Sequence, residues 1–254
     1  MSPRLRPGLV VVRRDDRHLQ VGLESPHRVV LRDLPEIRRL LDDLRHGRAS
    51  HPPTATAAAV LERLERADLL VTPPFAGLSS RPSVGLLGPR PLVEAAAASF
   101  RAAGLHVSEP GDVRVLLAHG ALARTSADPL VRDGVPHVAA VATPWGWDLG
   151  PFVVPGETAC LRCVDAAHSD HDPRYGVVLD QLVRSAAAAP IGPALSTIAM
   201  GWLARDLIAY DRGERPSTWS ATVRLTEVPG PELLDERRWL RHPHCGCAWD
   251  ALTG

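Results

Sequence analysis

Two amino acids are missing from this sequence. It has no lysine and no asparagine, and all 29 of its basic residues are arginine. Without lysine, no side-chain amine can hold a nucleotide phosphate, form a Schiff base or carry ubiquitin. Neither sign of charge is in excess, because 29 acidic residues balance the arginines. Neither a nucleic-acid footprint nor attraction to an anionic membrane follows from that balance. No window approaches the ~18 apolar residues of a spanning helix. The opening MSPRLRPGLVVVRRDD has only the apolar run Leu9–Val12, too short for the core of a secretory signal. The expectation is a cytoplasmic protein with no membrane and no nucleic acid among its partners. No internal repeat is visible.

What is present suits a folded α/β protein. The hydrophobic fraction is 45%, ample for a core, and 254 residues allow one large domain or two small ones. In the first seventy residues GLVVV, HLQVGL and RVVL are short β-type runs. A helix is expected from Asp33. Asp33 and Glu36 have capping-box spacing, and Leu34, Ile37, Leu40, Leu41 and Leu44 form a helical stripe that Gly47 can end. A second helix is expected from Thr54 to Ala67 through Val60, Leu61 and Leu64, followed by an extended DLLV. These elements predict a winged-helix-like module over residues 1–72.

TPPFAGLSSRP reads as a linker, placed at residues 73–82. From 83 to 254 the pattern changes. The runs SVGLLG, LHVSE, VRVLLAH and PHVAAVAT are strand candidates that alternate with helical segments. That alternation predicts a parallel sheet, so the second domain reads as Rossmann-like. From Trp145 the chain reads as irregular. A helical pattern over 177–210 is interrupted by Pro190 and Pro193, and TWSATVRLTEV is a late strand.

All four cysteines fall into two tight pairs, Cys160 and Cys163 as C-x-x-C and Cys245 and Cys247 as C-x-C. In a reducing compartment such pairs more often bind metal than form disulfides. A tetrahedral zinc needs four soft ligands, and two short knuckles supply them at little entropic cost. A closed four-cysteine shell leaves no open position, so the zinc would be structural. A redox C-x-x-C and four unrelated thiols are the alternatives. The redox reading is disfavoured because the motif reads as a loop after Gly156, not as the head of a helix. His168, His171, His242 and His244 stand near the cysteines. Any of them could replace a cysteine or form a second site with Asp170 and Asp172.

SVGLLGPRPL stands where a dinucleotide- or ATP-binding fold places its glycine-rich phosphate turn. The G-x-G-x-x-G is missing. Gly85 and Gly88 remain, but Pro89 and Pro91 have no N–H to donate. Glu109 ends the second strand, where an acid would hold a ribose hydroxyl, and Arg90 is the one substitute cation. ATP binding is not expected.

These residues carry a resemblance. A Rossmann-like half followed by GETACLRCVD and a terminal cysteine pair resembles the ThiF/MoeB group, related to ubiquitin-activating enzymes. RPGLVVVRRDDRHLQVGL, VVPGETACLRCVDAAHSDHDPRY and HPHCGC more closely resemble the ThiF-like leader-peptide-binding proteins. Those proteins accompany the cyclodehydratases of thiazole/oxazole-modified microcin (TOMM) pathways. The resemblance covers nearly the whole chain. It implies an N-terminal module that recognises a precursor's leader peptide and a ThiF-like part that serves as scaffold. It also implies a structural zinc, carried over to Cys160, Cys163, Cys245 and Cys247. A YcaO-type cyclodehydratase and a second copy of the chain are the implied partners. Active members of the wider group use lysine, asparagine and an intact glycine loop around ATP, so adenylation does not carry over.

The leading expectation is a non-catalytic peptide-binding scaffold. Its peptide site is placed on the edge strand of the first module, at Val29, Val30 and Leu31. An ATP-dependent adenylyltransferase that activates a carboxylate is the alternative, and it would reveal itself by pyrophosphate exchange. A DNA-reading winged helix is the third reading. It conflicts with helices that mix acids and arginines almost evenly.

Overall fold

A computed structural model describes residues 3–48, 54–71, 83–185, 187–188, 191–227 and 234–247. The chain divides into two compact units, Met1–Ser80 and Arg81–Gly254. The linker expected at 73–82 lies outside the described residues.

The first unit contains strands β1 (Arg4–Leu5), β2 (Val11–Asp15), β3 (His18–Val21), β4 (Val29–Arg32) and β5 (Leu70–Val71) and helices α1 (Pro35–His46) and α2 (Ala55–Arg66). Strands β2, β3 and β4 form an antiparallel meander in that order, and β1 pairs antiparallel with β5. Leu19, Val21, Val29 and Leu31 on one face of the meander pack with Ile37, Leu40, Leu41 and Leu44 of α1 and with Val60 and Leu64 of α2. Each such side chain contributes roughly 1.5–3 kcal/mol when fully buried.

The ends of the helices follow local chemistry. Gly47 caps α1 with φ at 66°, a left-handed conformation that glycine adopts without steric cost. Thr54 caps α2 by accepting the Ala57 N–H. The capping box expected at Asp33 and Glu36 does not form. Leu34 is the N-cap and Pro35 opens the helix. Asp33 instead binds Arg38, and Glu36 accepts from the Thr54 hydroxyl. Proline pre-sets the first turn, so the helix begins one residue later than the box spacing suggests.

The second unit is built on a seven-stranded sheet. Its strands are β6 (Ser83–Leu87), β7 (His106–Val107), β8 (Val113–His119), β9 (His137–Thr143), β10 (Gly146–Val153), β11 (Ala221–Thr226) and β12 (Leu234–Arg238), in spatial order β12-β11-β10-β9-β8-β6-β7. Only β7, β6, β8 and β9 are parallel. Strands β9 to β12 form an antiparallel meander, so the sheet is mixed where an all-parallel one was expected. The missing strand is β10, in the stretch that reads as irregular. Gly146, Gly150 and Pro151 disguise it, and its register shifts between Leu149 and Phe152. Strand β12 is charged and exposed, and its sequence carries no apolar alternation to announce it.

Helices α3 (Arg90–Ala102) and α7 (Pro193–Asp211) pack on one face of this sheet, with Phe100, Leu203, Trp147 and Phe152 in the core. The short α4 (Asp128–Arg132), then α5 (Leu161–Ser169) and α6 (Tyr175–Ser185), follow in the chain. Leu161 of α5 packs with Leu116, Ala118 and Ala139 from the opposite sheet face. Asp206 of α7 is fully buried and accepts hydrogen bonds from the N–H and hydroxyl groups of Ser217 and Thr218. Among the described residues, no helix is long and apolar enough to cross a membrane.

Candidate metal centre and peptide-binding edge

The fold brings the four cysteines together from two segments. After β10, Thr158 closes a turn by accepting the Val154 N–H, and Cys160 becomes the N-cap of α5. Cys163 lies in the first turn of that helix. The C-x-x-C therefore does sit at a helix head, contrary to the loop expected from sequence. Gly156 and Thr158 shape a tight turn that delivers Cys160 directly into the helix. What separates this site from a redox motif is the second pair, which comes from the segment after β12. One residue pins both segments. The Ser220 hydroxyl accepts the Ala159 N–H at 2.9 Å, and the Ser220 carbonyl accepts the Trp239 N–H at 2.7 Å.

Cys160, Cys163 and Cys245 are buried and Cys247 is half-buried. The Sγ atoms all lie within 4.8 Å of one another. Cys160 is 3.7 Å from Cys163 and 3.5 Å from Cys245, and Cys163 is 3.3 Å from Cys247. Tetrahedral zinc with bonds near 2.3 Å would set its sulfurs about 3.8 Å apart, so the set fits such an ion. The thiols cannot all ionise unaided. A hydrogen bond from the Cys160 thiol holds Cys163 down to about 4, against the effect of burial. The same bond, with burial, pushes Cys160 up. Burial first, then bonds to Cys163 and Cys245, pushes Cys247 up to about 12. The pocket stabilises one thiolate by itself, and a cation is needed to hold more.

The histidines do not join the cluster. Among the described residues, the four cysteines are the one group of three or more histidine, cysteine or acidic side chains arranged to hold a metal. His168 stacks on Tyr175 at 4.5 Å and leans on Trp239. His171 bonds the Ala167 carbonyl, and Asp172 accepts the Arg174 N–H. His242 reaches Asp170 at 3.0 Å and so ties the second knuckle to the end of α5. The second site considered with Asp170 and Asp172 is thus replaced by structural contacts.

The glycine turn is explained by packing. A Cβ at Gly88 would lie 2.3 Å from the Leu117 carbonyl oxygen, and one at Gly85 would meet Arg114 and Gly111. These glycines let β6 lie close to its neighbours. Arg90 is bound to Glu94 one helical turn on. Glu109 is exposed.

Sequence reasoning missed a cavity of about 410 Å³ in the second unit. Tyr175, Val178 and Leu182 of α6 line it, as do Trp239 and the Arg224–Asp148 pair at 2.6 and 2.9 Å. The helical spacing of those α6 residues was the available signal. The strand opposite them was not legible.

In the first unit, Val29 and Leu31 point into the core, and Val30 is half-buried on the other sheet face. Among the described residues, strand β4 pairs only with β3 and forms an edge of the meander. Of the three residues expected to bind peptide, Val29 and Leu31 thus belong to the core and Val30 does not.

No family model and no curated protein matches the chain. Solved structures do share its fold. The heterocyclase TruD superposes with a TM-score of 0.67 at 16% identity, over 97% of this chain and 42% of TruD. This chain thus spans well under half the length of TruD. Escherichia coli MccB, solved with AMPCPP and MccA, gives 0.63 at 13% identity over 98% of this chain and 99% of MccB. The microcin C7 biosynthetic enzyme MccB in complex with N-formylated MccA gives 0.61 at 12% identity, over 98% and 100%. At these identities the likeness is one of fold.

Proposed function

We propose that this chain is a non-catalytic peptide-binding scaffold in the biosynthesis of a ribosomally made, modified peptide of the TOMM kind. The winged-helix-like first unit captures a precursor's leader peptide along β4. The degenerate ThiF-like second unit docks a modifying enzyme, for which a YcaO-type cyclodehydratase is the expected partner, and a second copy of the chain. The observation that carries the reading is the fold shared with TruD and MccB across both units, together with an open β4 edge in the first. MccB has been solved with the peptide MccA. An edge strand offers unpaired N–H and C=O groups to an extended peptide.

The scaffold reading is preferred to adenylation because the phosphate turn has Pro89 and Pro91 and spends its glycines on packing. Zinc is the proposed occupant of the cysteine cluster, held by Cys160, Cys163, Cys245 and Cys247. Bound there, it would supply no reaction step, only a cross-link between the two segments.

The test is fluorescence anisotropy of the full chain with a labelled precursor peptide encoded beside its gene. Saturable binding, lost in Val30→Pro while circular dichroism stays unchanged, is expected, because proline removes the outward N–H and clashes with an added strand. Binding unaffected by Val30→Pro would overturn this mode of recognition.

A further inference from the structure

Arg63 occupies the position that an added peptide must take. Along an antiparallel edge, alternate residues turn their N–H and C=O outward. The Asp33 N–H bonds the Arg17 carbonyl at 2.8 Å, and the register sets Leu31 against Leu19. Residues 29, 31 and 33 therefore face β3, and Val30 and Arg32 face out. The outward carbonyl of Val30 is already engaged. The Nη2 of Arg63, on α2, donates to it at 2.8 Å. The guanidinium stands in for the N–H of a fourth strand. Nearby, His27, two residues before β4, bonds the carbonyl of Ala67, the residue that ends α2, at 3.0 Å.

Three arginines without an ion pair stand along this edge. Arg28, Arg32 and Arg63 bracket it, and none has a carboxylate partner among the described residues. Glu62, beside Arg63 in sequence, turns to Arg66. In the same unit Arg6, Arg38 and Arg48 are each ion-paired.

We infer that the peptide taken up on β4 is acidic, and that Arg63 selects it. The inference rests on the reading of β4 as the peptide edge. When a peptide N–H replaces Arg63 on the Val30 carbonyl, the guanidinium is released beside β4, where no carboxylate is paired with it among the described residues. A carboxylate on the peptide gives it a charge-assisted, bidentate partner, stronger than the carbonyl it left. A neutral peptide offers no such exchange. The placement follows from strand geometry. A peptide residue opposite Val30 turns its side chain toward the row Val12, Gln20 and Val30. Its neighbours turn toward the face covered by α2, where Arg63 stands. The motif is an aliphatic residue opposite Val30 with Asp or Glu beside it.

The experiment selects phage-displayed random dodecapeptides on the immobilised full chain, wild type and Arg63→Gln. Arg63 is exposed, so the substitution leaves the core intact. Wild type should enrich an acid next to an aliphatic residue. Arg63→Gln should keep the aliphatic preference and lose the acid. For the strongest synthetic peptide, changing Glu to Gln should weaken binding to wild type about tenfold, the scale of one charged hydrogen bond, and change binding to Arg63→Gln less than about twofold. Selection of neutral peptides by wild type, or equal acid preference in both chains, overturns the role of Arg63. Failure of wild type to enrich any peptide overturns the peptide edge itself.

Discussion

In the first unit the buried hydrophobic cluster is built of leucine, isoleucine, valine and alanine, contributed by elements that follow one another closely along the chain. Around the cysteine cluster, Cys160 meets Cys245 across 85 residues, and the surrounding apolar contacts are few: Val153, Ala159, Val164 and Trp239. The first region gains its stability from burial, which is non-directional and tolerates small shifts. The second gains little from burial and depends on geometry, because a tetrahedral ion would require four sulfurs to converge on one point. A helical stripe can build the first kind of core. The second kind is one that a metal ion would close.

The sharpest way to break this comparison is Cys163→Ser. It removes one of four ligands and should cost on the order of 4 kcal/mol, as loss of a structural metal does. For a chain of this size that is roughly 10 °C in melting temperature. Elemental analysis should fall from about one zinc per chain toward none, and hydrogen exchange should quicken in α5 while α1 and α2 keep their protection. A chain that is metal-free as purified and melts normally would end the zinc assignment.

Leu44→Ala is the reciprocal test. Leu44 is fully buried between the meander and the helices, and its truncation should cost roughly 2–5 kcal/mol. Exchange should quicken in α1 and α2, with zinc content unchanged. Loss of metal from this variant would mean that the two regions are not independent.

The smallest effect concerns pH. His137 is fully buried at the start of β9. Burial holds its pKa below the ordinary 6.5, and its Nδ1 bonds the Val135 carbonyl. Its neighbours across the register are Arg114 of β8 and Val153 of β10. The unfolded chain takes up a proton near pH 6.5 that the folded chain resists. The stability tied to His137 is therefore complete above that pH and declines as pH falls below it. In urea titrations from pH 7 to 5, His137→Leu should lose part of the wild-type decline, by at most ~1.4 kcal/mol per pH unit, the share of one proton. An identical decline in both chains would show that the ring is not the group responsible.

Much of this molecule is readable where local chemistry decides the outcome. The stripe from Ile37 to Leu44 with Gly47 behind it, Thr54 as a cap, and the apolar runs of β6, β8 and β9 all correspond to observed elements. In each case the deciding signal lies within a dozen residues. Strand β10 was illegible because Gly146, Gly150 and Pro151 argue locally against a strand, and its partners β9 and β11 outweigh them. Strand β12, with its charged LDERR, exists because β11 offers an edge to pair with.

The sequence by itself determined the four-cysteine set that could hold a metal ion, since two pairs of cysteines with no odd one over leave little choice of set. Only the tertiary structure decided that the histidines beside them bind Tyr175, Trp239 and Asp170 instead of a metal. It also decided that, of Val29, Val30 and Leu31, the outer residues go to the core and Val30 faces outward with Arg63 on its carbonyl. Residue type and spacing along the chain settle what a side chain is able to bind. Which partner it meets depends on strand pairing and helix placement, and those are settled by contacts between residues far apart in the sequence.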